Sequence, residues 1–315
     1  MRAIQISRYG GPEVLVHEEV PDPASSNGEV AIRVSAAGVN YMDTMCTSNS
    51  YLKPVELPYV PGGEVVGRTA DGRRVLAMMD GGGYAELVVT SSPFVAEVPD
   101  GVDDHQAVAL GVQGLSAWHL LRTCARIVPG ESVVVNAAAG GVGSLLVQLA
   151  KLFGAGRVVA AASSPDKRAF AMAVGADVAV DGAAEGYRDR VVEANDGRPV
   201  DIVFDATGGA VFDAALDALA PLGRIVTYGV ASHVLPDPIT AAQVIERTVA
   251  VGGFWLPQVI SLPGRYREPL AELFALTAAG RLRPAIGGVY PLGEARRAHE
   301  DMLARRTRGK LVLEP

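Results

Sequence analysis

The residues with the most definite chemistry lie in the run VVVNAAAGGVGSLLVQLAKLFGA, which begins at Val133. A dinucleotide pyrophosphate needs small residues at such a place. A side chain would hold the phosphates away from the backbone N–H groups and from the helix N-terminus that follows. Gly140 takes the close-approach position and Gly143 the helix–strand packing position, with Ala139, Gly141 and Val142 filling the turn between strand and helix. Ala138 stands where the usual G-x-G-x-x-G has its first glycine. A glycine-rich turn without a ligand would read the same in isolation; a strand before it and a helix after it make it a dinucleotide fingerprint.

The choice of cofactor is made about 20 residues further on, at the end of the second strand, where NAD-selective sites place an acid that binds the ribose hydroxyls. Here the chain runs Ser163-Ser164-Pro165-Asp166-Lys167-Arg168. Two hydroxyls and two cations suit a 2′-phosphate, and position 163 carries no carboxylate to repel it. Lysine is scarce, four against 24 arginines, so Lys167 is informative. As an alternative, Lys167 and Arg168 are solvated residues of a helix start, although cations are not what a helix N-terminus favours, and Asp166 could reach the ribose. The sequence favours NADPH over NADH.

The elements that must position this loop follow from periodicity. From about residue 112 the chain alternates short apolar strands with amphipathic helices. Strands are expected over 132–136, 157–162, 178–180, 201–205, 224–228 and 249–254, and helices over 143–153, 166–174, 187–194, 211–219 and 241–247. That alternation predicts a Rossmann-type, doubly wound parallel sheet covered on both faces. Before residue 110 the texture differs. Short period-two patches (Ile4/Ile6, Val14/Val16, Val30/Ile32/Val34, Val65/Val66, Val75/Leu76 and 87–89) are separated by glycine- and proline-rich turns, as in a small antiparallel β domain. A helical turn after Asn40 interrupts them. The tail adds helices over 268–279 and 293–305 and strands around 288–290 and 310–313.

Composition narrows the function. The chain has 315 residues, enough for about two domains. Its net charge of -7 repels phosphate backbones and anionic lipid, which argues against nucleic-acid or membrane-surface roles. Cys46 and Cys124 are too few for a disulfide framework or a zinc ribbon, and a reducing cytoplasmic setting is expected. No signal peptide is read at the N-terminus. The uncharged stretch 132–150 approaches bilayer length, but its central Gly140-Gly141-Val142-Gly143 marks a turn. The five histidines show no metal spacing, and no G-x-S-x-G elbow is present.

AGVNYMD at 37–43, VPGGEVVG at 60–67, QGLSAWHLL at 113–121, NAAAGGVG at 136–143, DATG at 205–208 and GKLVLEP at 309–315 occur in this order. Together they resemble the zinc-free quinone oxidoreductase (zeta-crystallin-like) branch of the medium-chain dehydrogenase/reductase superfamily. The resemblance runs nearly end to end. It implies a GroES-like antiparallel β domain built from residues 1–111 and 256–315, a Rossmann domain over 112–255, and a cleft where they meet. Zinc-dependent relatives carry Cys where this chain has Asn40, and Gly-His-Glu where it has Gly62-Gly63-Glu64; with two donors gone, no metal is expected.

By the same resemblance Asn40 sits beside the nicotinamide, where its amide could bond the substrate oxygen or the ribose, or only cap the turn. Tyr51 takes the place of an active-site tyrosine that could protonate or hydrogen-bond that oxygen, or only wall the pocket. Asp43 reads as a cap, and Glu64 as a partner inside the β domain. Further cofactor contacts carry over to Tyr41, Met45, Ser116, Ser163, Lys167, Tyr228, Gly229, Gly253, Phe254, Trp255 and Lys310. Where relatives place a tyrosine over the adenosine, this chain has Gly182. The expectation is an NADPH-dependent reductase of quinones or other α,β-unsaturated carbonyls. The alternatives are a dedicated enoyl-thioester or enone reductase and a non-catalytic NADPH-binding protein. The apolar strand at 249–255 would be a sheet edge that pairs with its twin in a homodimer.

Overall fold

The computed structural model describes all 315 residues. They form two compact units, Met1–Leu115 with Pro263–Pro315, and Ser116–Leu262. In chain order the strands are β1 (Arg2–Gln5), β2 (Val16–Glu19), β3 (Glu29–Val39), β4 (Glu64–Thr69), β5 (Arg74–Met78), β6 (Leu87–Ser91) and β7 (Val95–Glu97). The second unit contributes β8 (Ser132–Val135), β9 (Arg157–Ala162), β10 (Val178–Asp181), β11 (Val200–Asp205), β12 (Leu219–Thr227) and β13 (Ala250–Gly253). The chain then returns to the first unit with β14 (Ile286–Pro291) and β15 (Lys310–Glu314).

In the first unit β1 and β2 form a hairpin, and the larger sheet has the order β14-β15-β3-β4-β5-β7. The long strand β3 is shared. Its first half pairs with β6 and its last three residues pair antiparallel with β15, Leu311 opposite Val39 and Leu313 opposite Ala37. Alternate residues point inward, so Ile4, Ile6, Val34, Val39, Val65, Val75, Leu311 and Leu313 make one core with the buried Tyr84.

The second unit is a six-stranded parallel sheet of order β10-β9-β8-β11-β12-β13. The strand order reverses between β8 and β11, whose register sets Val203 beside Val134 and Phe204 beside Val135. Ligands of open α/β sheets bind at that switch point, outside the carboxyl ends of the strands. Val134, Val159, Val203 and Ile225 from four adjacent strands share a core with Tyr187, Val191 and Phe212 from the covering helices.

Several local expectations need correction. The helical run Asp104–Ala109, Leu110–Gly114, Leu115–His119, Leu120–Ala125 has no counterpart in the periodicity reading. It is buried nearly all round and therefore shows no polar stripe, although Asp103 and Gln106 form a capping box at its start. Val14 belongs to the single 3-10 turn Pro12–Val14, which opens on proline, and β2 begins only at Val16. The helix expected over 211–219 spans Gly209–Leu216, and β12 begins at Leu219. Leu256–Ile260 is a short helix inside what reads as irregular loop. The helix after the glycine loop starts at Gly141, two residues early, because Gly140 in extended conformation is its N-cap. No helix is long and apolar enough to cross a membrane.

Candidate functional site

The second unit presents its chemistry along the carboxyl ends of its parallel strands. After β8 the chain turns at Ala137, which adopts a left-handed conformation (φ 51°). Gly140 N–H then closes onto Ala137 O at 2.9 Å. A Cβ on Gly143 would press into the Ala137 carbonyl and lie 2.8 Å from Ala138 Cα; on Gly140 it would lie 3.3 Å from Ala137 O. Gly143 is thus required by packing, whereas a Cβ on Gly140 would only be tight against Ala137 O. Ala139 is buried, Gly140 exposed, and Gly141 and Val142 half-buried at the start of a twelve-residue helix.

Behind the loop a buried network ties the two strands of the switch point together. Asn136 Nδ2 donates to Asp205 Oδ1 at 2.8 Å, Tyr187 Oη donates to Asn136 Oδ1 at 2.5 Å, and Gly208 N–H donates to Asp205 Oδ2 at 2.9 Å. Burial raises the Asp205 carboxyl, partly offset by these donors. The network fixes the Asp205–Gly208 turn against the glycine loop. Asn136 and Asp205 stand in the motifs at 136–143 and 205–208, but no spacing reveals that they meet, and Tyr187 lies in no motif.

The neighbouring strand ends carry the other expected contacts. Ser163 is exposed just past β9, and Lys167 is half-buried in the first turn of helix Pro165–Ala173, which Ser164 caps. Tyr228 and Gly229 are half-buried past β12, with Tyr228 N–H on Asp205 O at 2.9 Å. Gly253 ends the edge strand β13, Phe254 stacks on the buried His119, and Trp255 caps the next short helix. Ser116 is buried inside its helix. These residues fit a dinucleotide phosphate: a loop of alanines and glycines at a helix start, hydroxyls and cations at the end of β9, and no carboxylate at position 163.

In the first unit the strand register itself assembles a polar cluster. Pairing Leu311 with Val39 and Val65 with Ala37 leaves Lys310, Asn40 and Glu64 at the same end of β15, β3 and β4. All three are buried, Glu64 at 0% exposure and Lys310 at 1%. Lys310 Nζ pairs with Glu64 Oε1 and donates to Asn40 Oδ1 at 3.0 Å. Asn40 Nδ2 donates to Glu64 Oε1 at 2.8 Å, Gln113 Nε2 donates to Asn40 Oδ1 at 3.3 Å, and Val112 N–H caps Glu64 Oε2. Two glycines make room: a Cβ on Gly38 would sit 2.7 Å from Lys310 Nζ, and one on Gly111 would collide with Glu64 Oε2.

This arrangement determines the Asn40 amide. A lysine ammonium only donates, so the atom facing it must be the oxygen, and Oδ1 is saturated by two donors. Nδ2 spends one hydrogen on Glu64 and keeps one. Asn40 also heads helix Tyr41–Thr47, where its N–H donates to Asp43 Oδ2 at 2.8 Å. Asp43 is fully buried and accepts from Tyr84 Oη at 2.9 Å, and Tyr84 in turn meets His299 Nε2 at 3.1 Å. Burial lifts the Asp43 carboxyl to about 6 and lowers the His299 imidazole to about 4. Tyr41 and Met45 on this helix are half-buried, and burial raises the Tyr41 phenol.

The structure therefore brings Asn40 and Lys310 together with Glu64 and Gln113, a grouping that no motif spacing reveals. Tyr51 is half-buried in the following loop. Cys46 is buried, and its thiol is pushed up to about 12, far from a reactive thiolate. No three His, Cys, Asp or Glu residues are grouped as a metal site.

Comparisons with known proteins agree with both units. A family model described as zinc-binding dehydrogenase matches residues 141–275, and one described as alcohol dehydrogenase GroES-like domain matches residues 26–100. A quinone oxidoreductase of Pseudomonas aeruginosa is 34% identical over 329 aligned residues, covering 100% of this chain and 99% of that protein. Among solved structures, the quinone oxidoreductase of Thermus thermophilus, described with its NADPH complex, is 35% identical with a TM-score of 0.90. The Escherichia coli quinone oxidoreductase complexed with NADPH is 28% identical with a TM-score of 0.94. Each of these two alignments covers 100% of both chains.

Proposed function

Because the chain belongs to the quinone oxidoreductase branch of the medium-chain dehydrogenase/reductase superfamily and is an NADPH-dependent oxidoreductase, we propose that its acceptor is a quinone or another α,β-unsaturated carbonyl, reduced without zinc. NADPH, when bound, supplies the hydride. The chain supplies the binding groups and the polar atoms that meet the acceptor oxygen. Residues 139–143 hold the pyrophosphate against the helix start, Ser163 and Lys167 hold the 2′-phosphate, and Tyr228, Gly229, Gly253, Phe254 and Trp255 line the remaining strand ends. Tyr41, Met45 and Ser116 complete the cofactor contacts. Lys310 serves by fixing Asn40.

The observation that carries this reading is the single unspent hydrogen on Asn40 Nδ2. With Oδ1 saturated, the amide can only donate, which suits an oxygen that gains negative charge as hydride arrives at the conjugated carbon. Tyr51 donates the second hydrogen bond or the proton. Fast loss of 340 nm absorbance with NADPH, and not with NADH, against an ortho-quinone or a simple enone is expected. Asn40→Ala and Tyr51→Phe should each lower kcat/KM; if both leave it unchanged, the assignment fails. The edge strand β13, with Ala250, Val251 and Gly253 exposed, supports a homodimer formed by pairing with its twin; a monomer by light scattering at micromolar concentration would refute that. Two unpaired cysteines support a reducing, cytoplasmic setting.

A further inference from the structure

One acceptor in the cluster at the ends of β15, β3 and β4 has nothing to accept. Gln113 is 7% exposed, and its Oε1 is shielded from solvent with no hydrogen-bond partner. The orientation of its amide follows from charge. The Lys310 ammonium can only donate, which makes Oδ1 the atom of Asn40 that faces it, and Gln113 meets that same Oδ1 at 3.3 Å. Only Nε2 can donate there, so Oε1 is the end left over. Folded chains leave few buried acceptors unpaired, because each one forfeits a hydrogen bond that it makes in water.

The helix is distorted where it presents this residue. Leu110–Gly114 is wound as a π-helical turn between the α-helical stretches Asp104–Ala109 and Leu115–His119. Such turns are rare and often mark functional sites. Here two successive residues of the turn face the cluster: the Val112 N–H caps Glu64 Oε2, and Gln113 Nε2 reaches Asn40. Every other acceptor atom of the cluster is met. Asn40 Oδ1 takes Lys310 and Gln113, Glu64 Oε1 takes Lys310 and Asn40, and Glu64 Oε2 takes Val112. Gln113 Oε1 is therefore the unmet acceptor, on an amide bonded to Asn40, whose Nδ2 keeps one hydrogen unspent. A hydroxyl matches both, since its oxygen takes a hydrogen from the donor and its own hydrogen goes to the acceptor.

We infer, on the basis of the quinone or enone acceptor proposed above, that Gln113 Oε1 receives the hydrogen of the hydroxyl that the acceptor's carbonyl becomes on reduction, while Asn40 Nδ2 donates to the same oxygen. Overall a quinone takes the hydride of NADPH and one proton from solvent, both carbonyls become hydroxyls, and NADP⁺ is left. The two amides divide this change. Asn40 serves the oxygen while negative charge builds on it. The Gln113 lone pair opposes a bare oxyanion, so it favours the oxygen once that has taken its proton. The pair thus suits acceptors whose oxygen ends as O–H, a hydroquinone or an enol.

The test is equilibrium binding, by anaerobic calorimetry, to the intact protein loaded with NADP⁺, in which neither probe is turned over. The probes are tetramethyl-1,4-benzoquinone and its hydroquinone; every ring carbon is substituted, so the quinone is a poor target for the Cys124 thiol. In Gln113→Met, and in Gln113→Leu beside it, hydroquinone affinity should fall by about three- to tenfold. Quinone affinity should stay within about twofold, because Lys310 and Glu64 still fix Asn40. That retained affinity also reports that the variants are folded. Asn40→Ala should weaken both probes. An equal loss for both probes in the Gln113 variants would overturn the inference, since Gln113 would then act only by steadying Asn40. Unchanged affinity for both would overturn it too, as would a loss confined to NADP⁺, which would assign the hydroxyl to the cofactor. Failure of the wild-type protein to bind either probe is distinct from these results, and it would remove the quinone reading of the acceptor together with this role for Gln113.

Discussion

Replacing Lys310 by methionine tests whether the cluster at the ends of β15, β3 and β4 is an electrostatic unit. The substitution keeps the length of the side chain and removes its charge. Glu64, with no exposed surface, would keep Asn40 Nδ2 and the Val112 N–H as donors but lose its only counter-ion. Asn40 Oδ1 would lose one of its two donors. Breaking a buried pair from one side costs about 3–5 kcal/mol, because the remaining charge stays uncompensated. Lys310→Met should fall in that range. Removing the charge of both partners, in Glu64→Gln with Lys310→Met, should cost less than the lysine substitution alone, near the ~1–2 kcal/mol of the lost hydrogen bonds. The assay is urea unfolding read by far-UV circular dichroism, with hydrogen exchange at Gly38 and Val39. Tryptophan fluorescence would miss the event, since Trp118 and Trp255 both belong to the other unit. Strictly additive single substitutions, or a cost for Lys310→Met below about 1 kcal/mol, would refute the reasoning.

Three other expectations follow from single features. Leu222 holds a left-handed conformation (φ 67°) with its side chain 81% exposed; Leu222→Gly should stabilise the second unit by about 0.5–1 kcal/mol, measured by tryptophan fluorescence in urea, and a destabilised variant would contradict it. Gly140→Ala should leave unfolding unchanged while weakening NADPH binding at least about tenfold, whereas Gly143→Ala should lower stability itself, because its Cβ has no space beside Ala137 and Ala138; a pair of variants with the same profile would remove the distinction. His299, lowered to about 4 by burial, is neutral in the fold where the unfolded chain is protonated, so its contribution of about 3 kcal/mol is lost as pH falls from about 6.5 to 4. Asp43, raised to about 6 by burial, holds a proton that the unfolded chain has released, so stability rises by about 3 kcal/mol as pH falls from about 6 to 4. The two offset each other in the native chain, and Asp43→Asn should expose the steep acid loss due to His299; an unchanged pH profile of unfolding in that variant would count against both assignments.

The parts of this molecule that could be read from sequence are those whose partners are close in the chain. The glycine loop, its strand and its helix lie within about 20 residues, and the same physics of small side chains and helix starts governs both spacing and shape. The strand Arg157–Ala162 and the helices Tyr187–Ala194 and Ala241–Arg247 match their expected bounds, because turn residues or caps flank them. The first unit's cluster was legible only as fragments. Asn40 and Glu64 stand in motifs, but their meeting with Lys310 spans 270 and 246 residues and depends on antiparallel register. Gly38 and Gly111 read as ordinary glycines, although each is needed to seat one carboxylate. The run Asp104–Ala125 was invisible for the opposite reason, since an element buried all round has no amphipathic period to detect.

The position of β15 bears on how the chain is made. During synthesis the six strands of the parallel sheet are all translated before β15, so that unit can close while the antiparallel sheet still lacks the strand that pairs with both β14 and the end of β3. Until residue 310 emerges from the ribosome, Glu64 has no cation to meet and Asn40 has one donor fewer to fix its amide. Lys310 is thus the last member of the buried cluster to be made. A chain that stops before β15 would hold all six strands of the parallel sheet, while Asn40 would keep Glu64, Gln113 and Asp43 as partners but not Lys310.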